Sequence, residues 1–378
     1  MRAYQICKRC IMDTTDPEII FDENGICNHC KTVDSFYRTL PSIESREEKL
    51  RLLLETIKKQ RTGKYDCIVG VSGGLDSTYV IHYLVEKGIN PLAVHVDNGW
   101  NTEVSNSNLQ KVIKKLNIDL ITVVLKWDLF RDLQLSFLKA SVPDLEIPTD
   151  HSLRAVISDT AKKNGLKYIF RGTNFNTESI LPRAWSRSQS DWLLIKSIYK
   201  KFGTGLKLSH YPHSSLWDFL FEGFSGFVKV SLLDNINYNK SEAIKEMSER
   251  YDWKYYGSKH YESVYTRFFQ GYILPKKFGI DKRRAHLSSL ICSEEMTREK
   301  ALEEISKAPY LDEKILKEDI NLFKAKLGLT DKEFDSLMSL PNKSTSSYPN
   351  YENTFPYRYF YSFYRNLTVK KNKKRAIL

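Results

Sequence analysis

Residues 65–78 read YDCIVGVSGGLDST: an apolar run, two adjacent glycines, then Asp76 and Ser77 at the head of an amphipathic stretch. An apolar run that stops at a glycine turn and resumes with helical spacing (Val80, Ile81, Leu84, Val85) predicts a buried strand, a loop and a helix. The same alternation continues outward. PLAVHVD (91–97) reads as a second strand, residues 103–116 as a helix and IDLITVVL (118–125) as a third strand. A helix over about 151–164 and a fourth strand in KYIFRGT (167–173) follow. Strands alternating with helices predict an α/β fold, a doubly wound parallel sheet covered on both faces. Ligands of such sheets bind at the carboxyl ends of the strands.

The loop Val71-Ser72-Gly73-Gly74-Leu75-Asp76-Ser77 has the chemistry of a phosphate cradle. Its glycines let the backbone approach an anion, its N–H groups and the Ser72 and Ser77 hydroxyls donate, and a helix N-terminus follows. Asp76 beside phosphates calls for a magnesium ion or a capping role. A plain glycine turn with Asp76 or Ser77 as N-cap is the simpler alternative, though it leaves the full SGGxDS string unexplained. A Walker A loop is excluded, because the Gly-Lys-Ser/Thr ending is missing.

Cys7-x-x-Cys10 and Cys27-x-x-Cys30 are two knuckles of zinc-ribbon spacing. Four thiolates close the coordination sphere, so the expected zinc is structural; an iron–sulfur cluster or free thiols are the alternatives. His29 is expected beside the site and not on the metal. Cys67 and Cys292 are expected to pack as small apolar residues.

Composition is ordinary for a globular chain, at 41% hydrophobic and 28% charged. The N-terminus MRAYQICKRC has no apolar secretory region, so a cytoplasmic enzyme is expected. Of the formal charge of +12, seven charges come from Phe355–Leu378, leaving +5 elsewhere. The excess therefore sits in one tail (Lys370–Arg375) and is not spread across a binding face. A solvated end is the simpler reading; an anionic surface, RNA or phospholipid headgroups, is the alternative, and peripheral membrane contact is expected ahead of nucleic acid.

Five regions are expected: a zinc module (1–40), a linker helix (41–63), the nucleotide domain (64–240), a mainly helical part (241–345) and an aromatic and basic tail (346–378). Helices are predicted near 46–59, 240–250, 281–291, 297–307 and 312–327. Residues 183–272 are rich in aromatic rings without a clean period.

The string from Ser72 to Ser77 resembles the signature of the PP-loop, or N-type, ATP pyrophosphatases, of adenine nucleotide alpha hydrolase-like fold. His95-Val-Asp97-Asn-Gly-Trp100 resembles the second-strand motif of GMP synthetase. Arg171-Gly172-Thr173-Asn174 with Glu178 resembles the later segment that serves phosphates and metal. The resemblance implies an ATP site of Val71, Ser72, Gly73, Gly74, Asp76, Ser77, Asp97, Gly172, Thr173 and Asn174, with Asp76 and Glu178 on magnesium.

Residues 1 to about 310 further resemble the N-acetyl sugar amidotransferases of surface-polysaccharide (lipopolysaccharide, O-antigen) biosynthesis. The cysteine pairs, SGGLDS, VDNGWN, RGTNFNTE and KFGIDKRRAHL (277–287) occur in that order. This implies conversion of an acetamido group on a nucleotide-linked sugar to acetamidino. ATP would be split to AMP and pyrophosphate, with Asp76, Glu178, Lys282 and Arg283 as catalytic candidates. Lys282, Arg283 and Arg284 are expected as phosphate clamps, or else as a solvated basic helix start. Arg2 replaces the cysteine of an N-terminal glutaminase and there is no Gly-x-Cys-x-Gly elbow, so ammonia is expected from a separate glutaminase subunit. A tRNA-thiolating PP-loop enzyme and a non-catalytic docking scaffold are the alternatives.

Overall fold

A computed structural model describes residues 3–186, 189–218, 222, 226–257, 261–310 and 312–362. The expected membrane-contact run, Lys370–Arg375, lies outside the described residues. Five strands, β1 (Cys67–Gly70), β2 (Pro91–Asp97), β3 (Leu120–Val124), β4 (Tyr168–Arg171) and β5 (Val228–Ser231), form one parallel sheet in the order β3-β2-β1-β4-β5. The chain winds from β1 outward through β2 and β3, then crosses back to β4 and β5. The winding direction thus reverses between β1 and β4, where a doubly wound sheet opens a crevice for ligands.

Both faces of β1 are buried, and its alternate residues enter different cores. Cys67 and Val69 pack with α2 (Ile43–Lys59), α3 (Leu75–Glu86) and α4 (Glu103–Leu116) through Leu50, Leu54, Val80, Ile81, Leu84 and Leu109. Ile68 faces the other side, where α5 (Trp127–Ala140), α6 (Ile147–Lys163) and α8 (Trp192–Phe202) supply Phe130, Phe137, Val156 and Ile195. Helix α2, expected as a linker, is therefore a layer of the main fold. Helix α5 was not predicted; its buried Leu129, Phe130, Leu133, Phe137 and Leu138 hold one helical face against the sheet.

Helix α7 (Phe175–Glu178) follows β4, and α9 (Lys240–Tyr251) packs on α3 and α4 through Ala243 and Met247. The C-terminal part opens with α10 (Val264–Phe268), which widens into a π-helical stretch over Phe269–Phe278 and stops at Gly279, φ +67°. Helices α11 (Arg283–Cys292), α12 (Arg298–Ser306), α13 (Glu313–Leu327) and α14 (Asp331–Ser339) follow. Among the described residues no helix is long and apolar enough to cross a membrane.

The cysteine module ends in α1 (Asn28–Tyr37) and is docked by the C-terminal helices. Arg284 pairs with Asp13 at 3.0 Å and donates to the Ile11 carbonyl, while Ser288 accepts from the Ile11 N–H. Arg298 donates to the carbonyls of Cys7 and Cys10.

Candidate active site

The loop after β1 is wedged between its neighbours. Val71 N–H donates to the Val94 carbonyl at 2.8 Å, extending the sheet by one residue. Gly73 then turns at φ +80°, so close to α4 that a Cβ would lie 2.1 Å from the Ser105 carbonyl oxygen. Only glycine fits there. On the other side a Cβ at Gly172 would lie 2.9 Å from the Ser77 nitrogen, so the turn after β4 lies directly on the start of α3. The first and third motifs of the sequence thus meet at the switch point.

The N-cap of α3 is Gly74, which offers no side-chain cap. Neither Asp76 nor Ser77 caps the helix; the Ser77 hydroxyl donates back to the Gly74 carbonyl at 3.1 Å. The loop N–H groups are held by long contacts, Ser72 to Ser77 Oγ and Gly74 to Ser72 Oγ, each 3.3 Å. An anion offers those groups shorter, charge-assisted bonds and the positive end of a 12-residue helix.

Asp76 Oδ1 accepts from the Tyr238 hydroxyl at 2.7 Å. Burial and the Asp76 carboxylate push the Tyr238 phenol well up, so it stays a donor. Glu178, exposed at the end of α7, is positioned indirectly. Asn174 caps that helix through the Asn176 N–H, and Asp234 accepts from the Phe175 N–H at 2.6 Å. Burial, with the charge of Glu178 adding, pushes Asp234 up to about 6. Tyr238 and Asp234 lie far along the chain from their partners, and the sequence offered no signal for them. Asp76 and Glu178 form no group of three close carboxylates among the described residues. They are the residues that could hold magnesium, which takes one or two carboxylates and completes its shell with water and substrate phosphates.

His95 ties β2 to the loop: its Nδ1 lies 2.8 Å from the Val71 carbonyl and its Nε2 lies 3.0 Å from Asn101 Nδ2. Asp97 accepts from the Gly99 N–H within its own turn. Thr173 Oγ1 meets Ser231 Oγ at 2.9 Å.

The three basic residues expected as clamps have separate roles. Lys282 lies 3.6 Å from Glu146; burial lowers its pKa, but the charges of Glu146, Asp144 and Asp150 outweigh that and raise it. Arg283 pairs with Asp281 and points at the carbonyls of Glu304, Ile305, Lys307 and Ala308, closing the end of α12. Its guanidinium therefore serves helix termination in place of a phosphate. Arg284 holds the cysteine module, as described above. His286 enters instead: its Nδ1 lies 2.8 Å from the Thr177 carbonyl, joining α11 to α7 beside Glu178.

Cys7, Cys10, Cys27 and Cys30 are buried, and their sulfurs all lie within 4.8 Å of one another. The separations of 3.7 to 3.9 Å match the ~3.8 Å edge of a tetrahedron with metal–sulfur bonds of about 2.3 Å. The donor set and its size fit zinc. His29 lies outside, 2.7 Å from Asp16. Cys292, expected as ordinary packing, brings its sulfur within 3.8 Å of Cys30 and so lines the cluster from α11.

Residues 66–163 match the family described as the queuosine biosynthesis protein QueC, and residues 262–365 match the WbpG-like C-terminal domain of LPS biosynthesis proteins. An uncharacterised protein of Methanocaldococcus jannaschii, MJ1599, is 30% identical over 172 residues, 44% of this chain. The chain spans 58% of the length of that curated relative. Among solved structures, the NH3-dependent NAD synthetase from Campylobacter jejuni, in complex with nitrate, aligns over 56% of this chain and 94% of its own, at 14% identity and a TM-score of 0.29. The NMN synthetase from Francisella tularensis aligns over 58% of this chain and all of its own (100%), with the same identity (14%) and TM-score (0.29).

Proposed function

We propose, on the premise that the chain belongs to the PP-loop superfamily, that it is an ATP-dependent amidotransferase forming AMP and pyrophosphate. Its substrate is an acetamido group on a nucleotide-linked sugar, and its setting is surface-polysaccharide biosynthesis, in keeping with the WbpG-like C-terminal domain. The observation that carries the ATP-using part is the uncapped start of α3, behind a glycine loop clasped by α4 and the turn after β4.

An amide oxygen is a poor leaving group, so it is first activated. The acetamido oxygen attacks the α-phosphorus of ATP, the bond to the bridging oxygen breaks, and pyrophosphate departs. Charge that builds on pyrophosphate meets the loop N–H groups, the Ser72 and Ser77 hydroxyls and the α3 N-terminus, a preorganised anion site. Ammonia then adds to the imidate carbon and loses a proton, and AMP leaves carrying the former acetamido oxygen. The product is the acetamidino sugar.

Asp76, oriented by Tyr238, and Glu178 are the residues that would hold magnesium, which neutralises phosphate charge when bound. Lys282, balanced by its acidic neighbours, lies at the head of the helix that carries His286 to α7. All six cysteines are buried, and none is presented as a glutaminase nucleophile. A separate glutaminase subunit supplying ammonia completes the reading.

Pyrophosphate release from ATP by the pure chain with ammonium chloride tests it, comparing acetamido-sugar nucleotides with bulk tRNA. Release that requires a sugar nucleotide is the expected result. Release that requires tRNA and ignores the sugars contradicts it.

A further inference from the structure

Between the ends of β2 and β3 and the last turn of α13 lies a second cavity, of about 500 Å³. Its walls include Asp97, Asn98, Gly99, Trp127, Arg131 and Lys326. The volume falls in the range of small-molecule sites, roughly 300–1,000 Å³. One wall comes from the QueC-matched segment (66–163) and the other from the WbpG-like one (262–365). The cavity therefore exists only where the two are joined.

The charges in this wall are unbalanced. Arg131 is permanently cationic. Its Nε is buried without a hydrogen-bond partner, and among the described residues its side chain makes no ion pair. Lys326 donates to the Gly99 carbonyl and lies 5.1 Å from the ring centres of both Trp100 and Trp127. None of those contacts neutralises its charge. Among the described residues Asp97 is the one carboxylate lining the cavity, and its Oδ1 already serves the Gly99 N–H. A concave wall with two cations, one of them a guanidinium whose Nε lacks a hydrogen-bond partner, suits a multiply charged anion, which a planar guanidinium can grip through two oxygens.

We infer that this cavity seats the diphosphate of a nucleoside-diphosphate sugar, the acceptor of the proposed reaction, on which this assignment rests. The phosphates of ATP already have the loop after β1. β2 is hydrogen-bonded to β1 and β3 to β2, so the cavity lies one to two strand spacings, about 5–10 Å, from that loop. A sugar ring attached to a diphosphate held there spans that gap and brings its acetamido oxygen toward the α-phosphorus.

Calorimetric titration of the full chain with UDP-N-acetylglucosamine, with UDP and with magnesium ATP decides the matter. Arg131→Gln is expected to weaken UDP and UDP-N-acetylglucosamine at least about tenfold, with ATP affinity held within about twofold. Arg131→Lys, which keeps the charge without the fork, falls between. Ala325→Trp, at an exposed position on the cavity wall, blocks both UDP ligands without touching the core; it serves if loss of Arg131 impairs folding. A parallel loss of ATP affinity assigns the cavity to ATP and overturns the inference, as does undiminished UDP binding in these variants or no UDP binding by the wild type. Sugar-dependent pyrophosphate release with an unchanged KM in Arg131→Gln removes the inference while the proposed function stands. Absence of that release from a wild type that still binds UDP removes the proposed function while the binding site stands.

Discussion

The phosphate loop and the four-cysteine module are both short segments with little core of their own, yet they are held in opposite ways. The loop is shaped by what surrounds it: Ser105 behind Gly73, Ser77 against Gly172, and the Tyr256 hydroxyl accepting from the Leu75 N–H at 3.3 Å. Protein contacts set its backbone on both sides. The module has its four sulfurs converging at its centre and is pinned outside by Arg284, Ser288 and Arg298. Four buried thiols within 4.8 Å of one another call for a metal between them. Neighbours build the loop, and on the proposed reading a bound metal builds the module.

The strongest way to break this comparison is Cys27→Ser. Structural zinc in such sites is worth roughly 10–16 kcal/mol, so the variant should lose its metal, by elemental analysis, and the protection of residues 3–37 against proteolysis. The sheet should survive, with its own melting transition. Retention of the module's fold without metal would contradict the account.

The loop gives the converse pair. Gly73→Ala forces a Cβ onto the Ser105 carbonyl at a left-handed φ and should cost about 2–4 kcal/mol in denaturant unfolding, whether or not ATP is present. Ser72→Ala loses the long Gly74 N–H contact and no packing, so it should cost no more than about 1 kcal/mol of stability while slowing pyrophosphate release about 10–100-fold. An equal stability loss in both variants would mean that the loop is not shaped by its neighbours.

A smaller effect sharpens the docking side. Arg298→Gln removes the donors to the Cys7 and Cys10 carbonyls and should cost ~1–2 kcal/mol, with zinc still bound but lost sooner to a chelator.

The smallest effect lies in neither region. Burial pushes His151 down to about 4, and its ring is held neutral: Nδ1 donates to the Gln189 carbonyl and Nε2 accepts from the Ser214 N–H. A depressed folded-state pKa means that the unfolded chain binds the extra proton first. The contribution is therefore complete above about 6.5 and is lost as pH falls through 4. In thermal melts at pH 7 and pH 4.5, His151→Gln should narrow the gap between wild-type and variant stability at the lower pH.

The phosphate loop and the cysteine pairs are legible in the sequence because each is a local string whose residues act together within a few positions. The parallel sheet is legible for the same reason, since each strand–loop–helix repeats over a short span. What escapes is long-range. Tyr238 reaches Asp76 across 162 residues and Asp234 reaches Phe175 across 59, and no local spacing marks either contact. Arg283 shows the opposite error: a basic run suggests an anion, but the structure surrounds this guanidinium with carbonyls at the end of α12. Helix α5 is a different case, because its apolar spacing at 129, 130, 133 and 137 was present in the sequence. With it came Arg131 and a wall of the second cavity, which no single motif could announce.

Oxygen-18 in the acetamido carbonyl of the sugar nucleotide follows the proposed chemistry most directly. Turnover with ATP and ammonium chloride should deliver the label into the phosphate of AMP, because the acetamido oxygen leaves bonded to phosphorus. Label left in the sugar product or released to water, with unlabelled AMP, would contradict activation of the amide by adenylylation.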